Sequence, residues 1–131
     1  MSKERRKFKR FDAYMNVQFR SQEEKKAKEV SGLSRDVSRE GIKVNTDKQL
    51  HAGSLVDMEI QLPDDVRPVR STGKVMWTKS EHSKENGYES GVSFLLIDPV
   101  DKFRTLDYAY NHWLETKIND FSDPEELSEL S

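Results

Sequence analysis

The feature that most constrains this chain is a single change in its hydrophobic period. Up to about residue 96 the apolar residues recur at every second position, and beyond it they recur every third or fourth. Alternation places one face of a strand in a core, and a spacing near 3.6 places one stripe of a helix there. Residues 55–62 give the clearest strand: Val56, Met58, Ile60 and Leu62 share one face, and Asp57, Glu59 and Gln61 share the other. A run of short strands followed by one helix leaves few solutions, because each one-sided element must bury its apolar face against another.

The same alternation predicts strands over residues 11–20, with Val17 and Phe19 inward, and over 30–38. A turn at Arg39-Glu40-Gly41 leads to a third strand beginning at Ile42 and Val44. Residues 45–54 read as a loop with a turn at Ala52-Gly53. After the strand over 55–62, Pro63-Asp64-Asp65 starts a turn. Residues 69–78 form the next strand, interrupted by Gly73, and 88–96 the last, with Val92, Phe94 and Leu96 alternating. The charged stretch over 21–29 reads as a solvated hairpin loop or a short helical excursion, and 79–87 as a polar hairpin loop. Asp98 can cap a helix whose first turn begins with Pro99. Phe103, Leu106, Tyr110, Trp113 and Leu114 then mark one apolar stripe toward Ile118, read as core packing. Ser122 and Glu125 have the spacing of a capping box for a short acidic helix. The expected fold is mainly β: six or so antiparallel strands in a small barrel or curled sheet, with the helix covering an open end or a face.

Length and charge narrow the function classes. At 131 residues the chain suits one domain, and its 34% hydrophobic and 35% charged content describe a soluble domain with a modest core. Three segments follow: a basic arm over 1–10, a barrel and helix over 11–118, and an acidic tail over 119–131. The absence of cysteine excludes disulfides, thiolate zinc sites and a cysteine nucleophile. No stretch approaches the ~18 apolar residues of a membrane span, and residues 1–10 lack the apolar core of a signal peptide. The expected location is the cytoplasm. The net charge of −2 hides an asymmetry: residues 3–10 are strongly basic, whereas the tail carries Asp120, Asp123, Glu125, Glu126 and Glu129 without a cation. A basic arm on a near-neutral body suits an anionic partner, or is simply solvated.

Two motifs carry chemistry. Arg6-Lys7-Phe8-Lys9-Arg10 has the form R-x-x-x-R just before the first strand. Asp36-Val37-Ser38-Arg39-Glu40-Gly41 has the form D-x-S-x-x-G at the turn between the second and third strands. An arginine fork grips a phosphate or the O6/N7 edge of a guanine, and its flat face stacks on a base. Asp36 repels phosphate but accepts hydrogen bonds from the N1 and N2 donors of a guanine. Ser38 can donate to a phosphate or a base edge, and Gly41 permits a tight turn and close approach to a ligand. Each motif alone is weak: arginines four apart are expected in a basic tail, and Asp36, Ser38 and Gly41 fit an ordinary turn. Their order and placement on the strand map give them weight. His51, His82 and His112 have no partner at metal-ligand spacing, and no catalytic triad, paired carboxylates or glycine-rich phosphate loop is discernible. The chain reads as a binding module and not as an enzyme.

With these motifs the sequence resembles the PilZ domain family over about residues 4–114, including the Gly73-Lys74-Val75 and Gly91-Val92-Ser93-Phe94 strands and the closing helix. The resemblance implies a six-stranded antiparallel β-barrel with a C-terminal helix that binds cyclic di-GMP. It implies that Arg6 and Arg10 hold guanine edges and phosphates, that Asp36 and Ser38 contact guanine, and that Gly41 allows close approach. Arg5 makes the first motif R-R-x-x-x-R, which in the family goes with two intercalated ligand molecules. Trp77 sits where some members place a stacking aromatic; packing on the barrel is the other reading. Arg35 and Arg39 flank the second motif, as extra phosphate contacts or as solvated charges. The implied effector signals to an unidentified protein partner without entering a membrane. Two rivals share the fold. A small-barrel nucleic-acid module explains the arm but not Asp36, and the negative net charge opposes it. A ligand-independent adaptor leaves the motifs without a purpose.

Overall fold

The computed structural model describes residues 10–23, 29–81 and 87–119. Residues 1–9, 24–28, 82–86 and 120–131 lie outside it, and with them the expectations for Arg5, Arg6 and the Ser122–Glu125 capping box. Seven strands and one helix are described: β1 (Phe11–Asp12), β2 (Asn16–Ser21), β3 (Val30–Val37), β4 (Gly41–Thr46), β5 (Leu55–Gln61), β6 (Val69–Glu81), β7 (Gly87–Ile97) and α1 (Pro99–Asn119). All pairings are antiparallel. The order β1-β3-β2-β5-β6-β7-β4, with β4 returning to β3, closes six strands into a barrel. The two-residue β1 lies beside β3, in line with β2.

The barrel interior holds the predicted residues Val17, Phe19, Ile42, Val44, Val56, Met58, Ile60 and Val92, together with Val37 and Val75, all of them buried. Closure leaves almost no free edge to template association, so a chain with a modest core needs no other cover for its strands.

Four expectations are corrected. The strand expected over 11–20 is broken at 13–15. Ser34 is the reason: its buried hydroxyl donates to the Ala13 carbonyl at 2.5 Å and accepts from the Met15 amide at 2.7 Å, so a side chain replaces ladder bonds. The loops expected over 45–54 and 79–87 begin later, because β4 runs to Thr46 and β6 to Glu81. In β7, Val92 is buried but Leu96 is 72% exposed, since a bulge opposite Thr72/Gly73 shifts the register before the strand ends. Finally, the helix does not bury the expected stripe. Phe103 is 66% exposed, and the residues driven fully inward are Thr105 and Ala109. Small side chains let the helix axis approach the barrel, whereas larger ones at its margin would hold it off.

The start of the helix is fixed locally. Asp98 accepts a hydrogen bond from the Val100 amide at 2.8 Å, the expected cap. Arg104 donates to Asp101 at 2.7 Å, to Asp65 at 2.6 Å and to the Arg67 carbonyl, which ties α1 to the β5–β6 loop. Further along α1, Phe11 of β1 meets Tyr110 and Trp113 edge-on, each with centroids 5.7 Å apart. That contact anchors the residue next to Arg10. Among the described residues no helix is long and apolar enough to cross a membrane.

Candidate functional site

The site begins with a bulge. The β3–β4 register slips between Ser34 and Asp36. Ser34 points into the barrel, and without the extra residue Asp36 would point inward as well. The bulge reverses the parity, so Asp36 faces the outer wall while Val37 returns to the core. Asp36 is nonetheless only 8% exposed, because two cations cover it. Arg10 Nη1 donates to Oδ1 at 2.7 Å, and Lys43 Nζ lies 3.5 Å from Oδ2. The R-x-x-x-R and D-x-S-x-x-G motifs thus meet in space through Arg10 and Asp36.

The strand register extends this meeting point into a surface. Asp36 pairs with Lys43, Lys43 with Gly91, and Gly91 with Trp77, so one cross-strand row runs over β3, β4, β7 and β6. Directly opposed residues of an antiparallel pair share a face. Trp77 is 40% exposed and lies against Gly91; a Cβ added at Gly91 would stand 2.6 Å from the indole Cε2. One edge of the ring is thereby seated on backbone while much of it meets solvent. Lys79 Nζ sits 5.8 Å from the ring centroid. The ring packs on the barrel through that edge, and the rest of it is exposed.

The other motif residues hold the turn. Ser38 is 3% exposed; its Oγ accepts from the Glu40 amide at 3.2 Å, and its own amide donates to the Gly41 carbonyl at 2.9 Å. Gly41 does not adopt a left-handed backbone. Its missing side chain is required by a neighbouring strand: a Cβ there would run into the Val92 carbonyl and stand 2.9 Å from Ser93 Cα. The close approach of β7 alone requires a glycine here. Sequence reasoning missed Lys43, whose link to Asp36 emerges only from the β3–β4 register.

A groove of about 680 Å³ lies elsewhere, lined by Arg20, Asp57, Glu59, Arg70, Thr72 and Leu96 among others. Its polar groups serve one another: Gln22 donates to Asp57 at 2.7 Å, and Arg70 lies 3.6 Å from Glu59. Among the described residues no three His, Asp or Glu side chains converge as metal ligands.

A closed six-stranded barrel, a covering helix and a charged outer wall define the class of fold to which the chain belongs. The sequence profile of the PilZ domain matches residues 4–111, and the chain belongs to that family. Among solved structures, the inhibitor of motility MotI/DgrA of Bacillus subtilis superposes with a TM-score of 0.69 at 22% identity. The match covers 86% of this chain and 53% of that one, so the chain spans about half the length of that relative. The PilZ domain of YcgR from Escherichia coli, solved with c-di-GMP, superposes with a TM-score of 0.69 at 12% identity over 88% of this chain and 97% of that one. At these identities the likeness is one of fold. No curated protein sequence matches the chain.

Proposed function

We propose that this chain is a cyclic di-GMP receptor that closes its N-terminal arginine arm over the ligand and signals to a protein partner. One observation carries the reading: Arg10 and Asp36, far apart in sequence, meet at 2.7 Å on an outer wall that also bears Lys43 and Trp77 in one row. A carboxylate held by two cations suits a guanine. The N1 and N2 donors of the base take the Asp36 oxygens, and the displaced Arg10 and Lys43 turn to the phosphates. The anionic ligand is neutralised without leaving Asp36 unpaired, which matters because an uncompensated buried charge is costly. Arg6 joins Arg10 on guanine edges and phosphates, Arg5 supports a second, intercalated ligand molecule, and Trp77 offers a stacking face. Ser38 and Gly41 keep the turn that fixes Asp36. The role is binding and not catalysis, in the cytoplasmic setting expected from the sequence, and the arm over 1–10 is the segment the ligand moves.

Calorimetry with cyclic di-GMP tests this. The expected result is micromolar or tighter binding by the wild type. Arg6→Ala, Arg10→Ala and Asp36→Ala, each still folded, should bind at least about tenfold more weakly, the scale of one lost charge-assisted hydrogen bond. Normal binding by Arg10→Ala would sink the site assignment. Wild-type protein that ignores the dinucleotide but binds a generic oligonucleotide, with affinity falling steeply as salt rises, would establish the nucleic-acid rival.

A further inference from the structure

The same wall carries a second sunken carboxylate that neither family motif includes. In the row next to Lys43-Gly91-Trp77, the register pairs Asn45 with Glu89 and Glu89 with Lys79. Glu89 copies the setting of Asp36. Its side chain is 11% exposed, as is that of Asp36, and Lys79 Nζ lies 3.3 Å from Oε1 just as Lys43 Nζ lies 3.5 Å from Asp36 Oδ2. An ordinary surface pair leaves both partners in water. Here the lysine is 63% exposed and the carboxylate is not. Beside it, Asn45 Oδ1 is buried and has no hydrogen-bond partner among the described residues. Buried acceptors left without a donor are rare in folded proteins, and one in a binding wall points to a donor that arrives with a ligand.

Resting on the receptor reading above, we propose that Glu89 and Asn45 form a second guanine-reading subsite, with Trp77 as its stacking face. The Watson–Crick edge of guanine presents two adjacent donors, N1–H and the N2 amino group, to the Glu89 carboxylate, and the Asn45 amide on the neighbouring strand adds an acceptor once its side chain turns outward, since its Oδ1 is buried in this structure. Adenine presents an acceptor at N1 and is rejected by a carboxylate. Asp36 on β3 and Glu89 on β7 are two strands and about two residues apart, roughly 12 Å at ordinary sheet spacings. One extended cyclic dinucleotide, or two stacked on each other, spans such a distance. Asp36 reads one guanine and Glu89 another, so the wall selects a ligand with two.

The test compares cyclic di-GMP with the mixed guanine–adenine cyclic dinucleotide, using wild type, Glu89→Gln and Asn45→Leu in calorimetry, with circular dichroism to verify folding. The wild type should prefer cyclic di-GMP by at least about tenfold, because one good bidentate base contact discriminates by about 1–3 kcal/mol. Glu89→Gln should lose most of that preference by weakening on cyclic di-GMP alone, with the mixed ligand unchanged. Asn45→Leu should reduce it in the same direction. If both variants keep the wild-type preference while Arg10→Ala abolishes binding, the second subsite is overturned and the receptor reading stands. If the wild type binds neither dinucleotide, both fall.

Discussion

At the residue scale, two glycines show how close approach is divided on this wall. A Cβ at Gly41 would meet the backbone of β7, which can yield only by moving a strand. A Cβ at Gly91 would meet the Trp77 indole, which can rotate away. Gly41→Ala should therefore destabilise the fold by about 1–3 kcal/mol, the cost of overpacking. Gly91→Ala should cost less stability but lift the ring from its seat. Urea unfolding checks the first, and tryptophan fluorescence together with cyclic di-GMP affinity checks the second. Equal losses of stability at both positions would contradict the argument. The sequence marked Gly41 as special but not its contact with β7, because Val92 and Ser93 lie far along the chain. Glu89 and Lys43 were invisible for the same reason: a lone acid or lysine on a strand signals nothing until the register shows what stands opposite. Asp36 was legible as chemistry, yet its outward direction depends on a bulge that no residue pattern announced.

At the scale of elements, alternation and capping located the strands and the helix well, and their ends and faces less well. The helix start at Asp98 and Pro99 was legible because a cap is a local event within one turn. Its buried face was not, because Thr105 and Ala109 carry little hydrophobic signal and are chosen by the fit of the barrel. Val100 and Phe103 remain exposed for the same reason. Arg104 then supplies what the small face cannot, by clamping α1 to the loop after β5. The Arg67 amide and, after it, the Arg104 guanidinium hold the Asp65 carboxyl below the usual carboxylate range. The Asp101 and Asp65 carboxylates raise Arg104 in turn. A lowered acid contributes stability above its unfolded value, near 3.9, and loses it as pH falls through the folded value. Arg104→Met should thus lower the melting temperature at neutral pH, and the deficit should narrow below about pH 4. A constant deficit across that range would show that the clamp acts through packing alone.

At the scale of the whole molecule, the barrel closes through its own strand pairings, and the proposed site lies on its outer wall. Folding and recognition are therefore separable: the interior of Phe19, Ile42, Ile60 and Val75 owes nothing to Arg10 or Trp77. A ligand that binds only the folded state raises its stability by RT ln(1 + [L]/Kd), about 2.7 kcal/mol at a hundredfold excess over Kd. The wild type should melt several degrees higher in saturating cyclic di-GMP, while Arg10→Ala, with Lys43 still on Asp36, should melt near the unliganded wild type and not respond. Arg5 separates the stoichiometries within the same design. If it supports a second, intercalated molecule, wild type titrates near two ligands per chain and Arg5→Ala near one, and the thermal shift of the variant rises less steeply with ligand concentration. A wild-type stoichiometry near one removes that role from Arg5. It leaves the row from Asp36 to Trp77 to hold a single dinucleotide, and Glu89 would then have to read the other base of that same molecule.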